Sequence, residues 1–398
     1  MSRRFIIIGA GTGQAANLTE TARQALMDAA CVFAAPRLAE QLGNLREIKP
    51  ATMSQMVEWS IACTQSPVAL LVSGDSGFFS LTKSIQHQLM AHGSVEILPG
   101  LSSMQYLCAK CGQSYDDAYI LSLHGRSGSI LGAASYHKKV FALTGGTHTV
   151  QSICQDLVNA GLGHLLVYVG EDLGAAQERI SAGTAQELAL QSYSDLAVLL
   201  VLNPNAVDFQ KALRDRDFVR GEVPMTKQEV RWTAVNLLDL QKNDIVYDIG
   251  AGTGSVSIEM ARHACQGLVY AIERKDAGLS LIEQNRLALG AGNVIPVSGY
   301  APEALEGLPT PDAVFIGGSG GELPEILAVL KQRNPDVRVC ISAIALETMS
   351  CALESLKKLE FSNIEVCQIS AARGRQVASY TMMTANNPVF LISGGGKP

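Results

Sequence analysis

The segment from Asp244 to Ala261 holds the residues whose spacing most directly implies chemistry. A β-branched run ends at Asp248, glycines follow at Gly250, Gly252 and Gly254, and a helical pattern starts near Ser255. Glycine lets backbone amides approach a ligand closely, and the first turn of a helix offers unpaired N–H groups. Glu273 closes the next strand-like run, 19 positions after Gly254, where its carboxylate could accept both ribose hydroxyls of a nucleoside. With Ala251 and Thr253 between the glycines, the spacing is GxGxG rather than that of a pyrophosphate loop, which favours S-adenosylmethionine over NAD. A tight strand-to-helix turn without ligand uses the same glycines, and Asp248 could serve only to anchor the loop backbone.

Two further segments of this half bear on the same ligand. Thr226 and Glu229 have the T-x-x-E spacing of a capping box, and Thr226 is equally a candidate cofactor contact. The turn Gly299-Tyr300-Ala301 follows the third strand-like run, where an adenine edge would lie, although an ordinary turn would look the same.

The first half carries a second set of loops. Gly9, Gly11 and Gly13 also follow a strand-like run, yet Val32 stands where a dinucleotide fold needs a carboxylate. The loop SGDSGFFS supplies Gly74, Asp75 and Gly77, and PGLSS supplies Ser102 and Ser103. Loops of this kind at strand ends build one cleft at the carboxyl edge of a sheet. Asp75 also suits a plain turn, and Ser102 with Gln105 matches a capping box. His124 and Arg126 flank a glycine in SLHGRSG, although a lone histidine is as often structural as functional.

The elements that must position these residues alternate between β-branched runs and amphipathic helical stretches from Phe5 to about Leu202. Residues 203–222 break the pattern with proline, asparagine and mixed charge, as a linker does. A helix over about 225–240 opens the second half. The runs DIVYDIG, GLVYAIE, NVIPVSG, PDAVFIGG and VRVCIS then predict a doubly wound parallel sheet. In the tail, NIEVCQIS and SYTMMTANNPVFLIS are expected to pair as an antiparallel edge.

Composition narrows the function classes. With 398 residues, 47% hydrophobic and 17% charged, the chain can bury two cores. A net charge of −6 without a basic run argues against RNA or DNA as partner. No apolar run approaches membrane-spanning length, and the start, MSRRFIIIGAG, enters a glycine loop, so a cytoplasmic protein without membrane partner is expected. Nine scattered cysteines fit reduced thiols, and the one close pair, Cys108 and Cys111, has no second pair to complete a metal site, so no metal is expected.

Taken together the motifs resemble two families. Through LTETARQAL, SGDSGFFS, PGLSSMQYLCAK, SLHGR and GEDLGAAQERISAGT, the first half resembles the tetrapyrrole methylase family. Through PMTKQEVR, DIGAGTGSVSIEMAR, YAIER, GYAPEAL and PDAVFIGG, the second half is similar to the class I methyltransferases that methylate and decarboxylate precorrins. The resemblance implies an α/β chain with a tetrapyrrole methylase fold of two α/β subdomains over 1–203, a linker over 204–222, and a class I Rossmann-like domain over 223–398. It implies S-adenosylmethionine-dependent methylation of a precorrin at carbons 5 and 15, with loss of the carbon-12 acetate carboxyl, in cobalamin biosynthesis. The same chemistry on the cobalt-containing substrate, or a non-catalytic tetrapyrrole-binding protein, are the alternatives. Homo-oligomers are usual in both families.

By resemblance, cofactor contacts fall on Thr226, Gly250, Ala251, Gly252, Thr253, Gly254, Glu273 and Ala301, and in the first half on the loop of Gly74, Asp75 and Gly77 and on Ser102 and Ser103; Asp248 and Gly9 are added as candidates by their places at the two glycine loops. Methyl transfer from a sulfonium to an electron-rich ring carbon needs alignment more than a base, which fits the lack of a catalytic triad. A polycarboxylate substrate on an acidic protein needs local cations, and Arg126, Arg373 and Arg375, with His124, are the candidates. Thr12 and Ser76 stand where the tetrapyrrole methylases usually have proline, which is expected to loosen those loops.

Overall fold

A computed structural model describes residues 3–125 and 128–397. The chain divides into two compact units, one from residues 1–126, 139–153 and 166–201, the other from 127–138, 154–165 and 202–398.

The first unit holds two five-stranded sheets. In one, the strands run in the order Lys49–Pro50, Cys31–Ala34, Val68–Val72, Arg4–Gly9, Ser94–Leu98, all parallel. Its interior strand RFIIIG is apolar at consecutive positions because both faces are covered: Ile6 and Ile8 enter one core cluster, Phe5 and Ile7 the other. The second sheet runs Tyr119–Ser122, Lys139–Leu143, Ala197–Leu202, Leu166–Glu171, Arg179–Thr184, the last strand antiparallel to its neighbour.

The second unit is built on a seven-stranded sheet in the order Val294–Ser298, Leu268–Glu273, Ile245–Ile249, Ala313–Ile316, Arg338–Ala343, Val389–Gly394, Glu365–Ile369. The first five strands are parallel, and Val389–Gly394 runs antiparallel to both of its neighbours, so that Glu365–Ile369 has the direction of the first five. Strand order reverses between Ile245–Ile249 and Ala313–Ile316, and a doubly wound sheet opens its ligand crevice at such a point.

Three expectations need correction. The run SYTMMTANNPVFLIS divides at Asn386-Asn387-Pro388. Val389–Gly394 joins the sheet against Glu365–Ile369 as expected, but Tyr380–Ala385 folds back on Ala372–Val377 as a separate two-stranded hairpin. The opening helix spans Gln228–Leu237, and the Thr226/Glu229 capping box does not form. Lys227 occupies the N-cap and has no acceptor to offer the helix amides, while the Glu229 carboxylate accepts from Arg373 Nε at 2.9 Å. Finally, residues 204–222 are not a solvated linker throughout: Leu213 and Phe218 are buried in the core beside Val230 and Ala234.

Candidate functional site

The cavity that the glycine loop faces has a volume of about 680 Å³, within the range of small-molecule pockets. The strand Ile245–Ile249 ends in Gly250, whose N–H and that of Ala251 both bond to Ile272 O at 3.0 Å. Gly250 has φ +75°, and a Cβ there would lie 2.7 Å from Gly318 O, so only glycine fits. The loop then turns into the helix Ser255–His263.

Glu273 is buried at the end of the neighbouring strand. Its Oε2 accepts from Gly252 N, and its Oε1 from Arg274 N and Lys275 N, each at 2.9 Å. A carboxylate offers about four acceptor positions. The protein therefore fills three, leaving one position on Oε2 open.

The structure brings Thr226, Gly250, Ala251, Gly252, Glu273 and Ala301 together on this cavity. Thr253, Gly254 and Asp248 do not line it. Thr253 is buried, Gly254 caps the helix with φ +74°, and Asp248 lies behind the loop where its Oδ2 accepts from Ser257 Oγ. Sequence reasoning missed Gly317, Gly318, Ser319 and Gly320, which face Gly250 across the reversal of strand order. The signal was present, since IGGSG directly follows a strand. Ile369, Ala371, Asn386 and Asn387 were also missed, and they reach the cavity only through the tertiary fold.

Burial raises the Asp248 carboxyl from 3.8 to about 7, with the nearby Glu273 charge adding to the rise and the Ser257 hydrogen bonds opposing it. Between these values the folded protein holds a proton that the unfolded chain has released. Stability is therefore greatest below about pH 4 as far as this group is concerned, and falls as the pH rises until about pH 7. Asp248→Asn is expected to flatten that slope in denaturant titrations between pH 5 and pH 7. An unchanged slope in the variant would assign the dependence elsewhere.

In the first unit the three loops also meet. Gly11 and Gly74 exchange backbone hydrogen bonds at 3.0 and 2.8 Å, and a Cβ on Gly9 would sit 2.6 Å from Gly100 N. Asp75 ties the loops together, its Oδ1 accepting from Gly77 N at 2.9 Å and its Oδ2 from Gly100 N at 3.0 Å. Ser102 caps the helix Ser103–Lys110 through Gln105 N, and the reciprocal Gln105 bond is present, so its side chain is engaged within its own helix. Thr12 is not loose in the absence of proline. It is buried, and its Oγ1 accepts from Asn17 Nδ2 at 2.8 Å.

The candidate substrate cations separate. Arg373 is engaged by Glu229 and lies 3.7 Å from Asp215, so its charge is matched within the protein. Arg375 is exposed on the hairpin, opposite Met382. His124 is exposed, with Nδ1 3.3 Å from Thr144 O. Arg126 lies outside the described residues. Among the described residues no group of three or more His, Cys, Asp or Glu could hold a metal ion, and no helix is long and apolar enough to cross a membrane.

Comparison with known proteins fits this geometry. Residues 4–189 match the family of tetrapyrrole (corrin/porphyrin) methylases, and residues 217–394 match the precorrin methyltransferase domain. A probable cobalt-precorrin-6B C(15)-methyltransferase (decarboxylating) of Pyrobaculum calidifontis is 41% identical over 182 residues, 45% of this chain and 93% of the relative. The chain belongs to the precorrin methyltransferase family. A precorrin-6Y C(5,15)-methyltransferase [decarboxylating] of Sinorhizobium sp. is 28% identical over 399 residues, 96% of this chain and 94% of the relative. The crystal structure of precorrin-6Y C5,15-methyltransferase from Geobacter metallireducens GS-15 shares 36% identity, covering 46% of this chain and 97% of that one with a TM-score of 0.44. As a precorrin methyltransferase the chain uses S-adenosylmethionine. The glycine loop and the open position on Glu273 suit the nucleoside part of that cofactor.

Proposed function

We propose that this chain methylates precorrin-6B at carbons 5 and 15 and removes the carboxyl of the carbon-12 acetate, giving precorrin-8 in cobalamin biosynthesis. The observation that carries this is the collinear likeness to the C(5,15) enzyme over nearly the whole chain, with a glycine-loop site in each half. The tetrapyrrole methylase part, residues 1–203, performs the carbon-5 methylation. The part beyond residue 222 performs the carbon-15 methylation and the decarboxylation. The protein acts in the cytoplasm as a homo-oligomer, with no nucleic acid or membrane partner.

Bound S-adenosylmethionine supplies an electrophilic methyl group on a sulfonium. The residues of the chain orient and desolvate. Glu273 would hold a ribose hydroxyl, the Gly250–Gly252 backbone would let the cofactor approach the strand end, and Ala301 would leave room at the adenine edge, all on the wall of one cavity. In the first unit Gly9, Gly74, Asp75 and Ser103 shape the corresponding cleft. Attack by an enamine-like ring carbon needs no strong base, so alignment is the main contribution of the protein. Decarboxylation breaks the bond between the acetate methylene and its carboxyl carbon. The electron pair passes into the conjugated macrocycle, and a proton returns to the methylene to leave a methyl group.

A second reading, the same reactions on the cobalt-containing substrate, is favoured by the names of relatives that match the C-terminal half at 41% identity. Mass spectrometry of parallel reactions with precorrin-6B and its cobalt counterpart tests both. A gain of two methyl groups with loss of one carbon dioxide on precorrin-6B is expected. The same change confined to the cobalt form would select the second reading, and no change with either would overturn both.

A further inference from the structure

The wall of the C-terminal cavity formed by Val223, Pro224, Met225, Thr226, Lys227 and Glu229 links its two ends. Pro224 O lies 3.1 Å from where a Cβ on Gly252 would sit, which places this end of the segment against the cofactor loop. At the other end Glu229 meets Arg373 at the foot of the hairpin. Lys227 lies between the two.

Charge along the cavity is unevenly matched. Glu273 is held by three backbone amides, and Glu229 by Arg373. Arg274 stacks over the Tyr300 ring at 5.5 Å, and Lys275 follows it at the cofactor end. Lys227 lines the cavity, is exposed, and among the described residues has no acidic partner. Arg274 and Lys275 at the cofactor end likewise have no acidic partner among the described residues, so Lys227 is distinguished from them by its place between the glycine loop and the hairpin foot.

We propose that Lys227 binds a carboxylate of the tetrapyrrole, one that the reaction leaves in place. This rests on the proposed function, in which the substrate is a polycarboxylate. A cation paired with the departing carboxyl would stabilise the ionised reactant over neutral carbon dioxide and slow its loss, whereas a cation on a retained side chain fixes the ring without that cost. A compact ammonium on a flexible stem suits an exposed position where water and carboxylate exchange.

Lys227→Met keeps the apolar stem and removes the charge. It is expected to raise the KM for the tetrapyrrole about tenfold or more. Its kcat, the carbon dioxide released per methyl transferred, and the Kd for S-adenosylmethionine should stay within about twofold. Lys227→Arg should restore most of the KM. An unchanged KM in Lys227→Met, or a cofactor Kd rising in step with it, would overturn the assignment, as would faster release of carbon dioxide, which would place Lys227 on the departing carboxyl. Wild-type protein that transfers no methyl group to a precorrin would instead overturn the proposed function, and this inference with it.

Discussion

Replacing Arg231 by alanine is expected to destabilise the C-terminal unit by about 3–5 kcal/mol, the cost of removing one partner from a buried ion pair. Arg231 is fully buried, with Asp215 at 3.3 Å and Glu259 at 3.5 Å. It also donates to Leu213 O at 2.9 Å and Thr226 O at 3.0 Å, and lies 4.7 Å from the centre of the Phe218 ring. Without it, the buried carboxylates of Asp215 and Glu259 lose their shared cation and two carbonyls lose their donor. Arg231→Lys should rescue little, because an ammonium cannot span the same set of acceptors. Denaturant titration of the whole chain reads the effect as an earlier transition. A variant that unfolds at the wild-type midpoint would mean that the buried cluster adds nothing. Because one of those carbonyls belongs to Thr226 on the cavity wall, cofactor affinity should fall together with stability.

Glu273→Ala is expected to weaken S-adenosylmethionine binding at the C-terminal cavity by about 3 kcal/mol, roughly a hundredfold. Three backbone N–H groups lose their acceptor, among them that of Gly252, so the loop loses its anchor as well as the ribose its partner. Glu273→Gln retains one acceptor oxygen and should fall between the two. Calorimetry on the folded variants separates binding from stability. An affinity within about threefold of wild type would remove Glu273 from the cofactor site.

Much of this was legible in the sequence where the determinants are local. Glycines at a strand end must turn and admit a ligand, and a run such as RFIIIG must be covered on both faces, whatever packs there. Charged residues were harder, because their partners are distant in the chain. Arg373 looked free for substrate, yet Glu229, 144 residues away, neutralises it, and the helix starts one residue later than the capping box expected at Thr226 requires. The polar stretch 204–222 resembled a linker because its composition hides Leu213, Asp215 and Phe218, which are buried in the second unit. Substitution of proline by Thr12 suggested a loose loop, since the side chain of Asn17 that braces it follows no recognisable spacing.

That each half of the chain carries its own cofactor site is tested most directly by calorimetric titration of the wild-type protein with S-adenosylmethionine. Two molecules bound per chain, one of them about a hundredfold more weakly in Glu273→Ala, is the expected result. A single molecule per chain in the wild type, or two that persist undiminished in the variant, would contradict it.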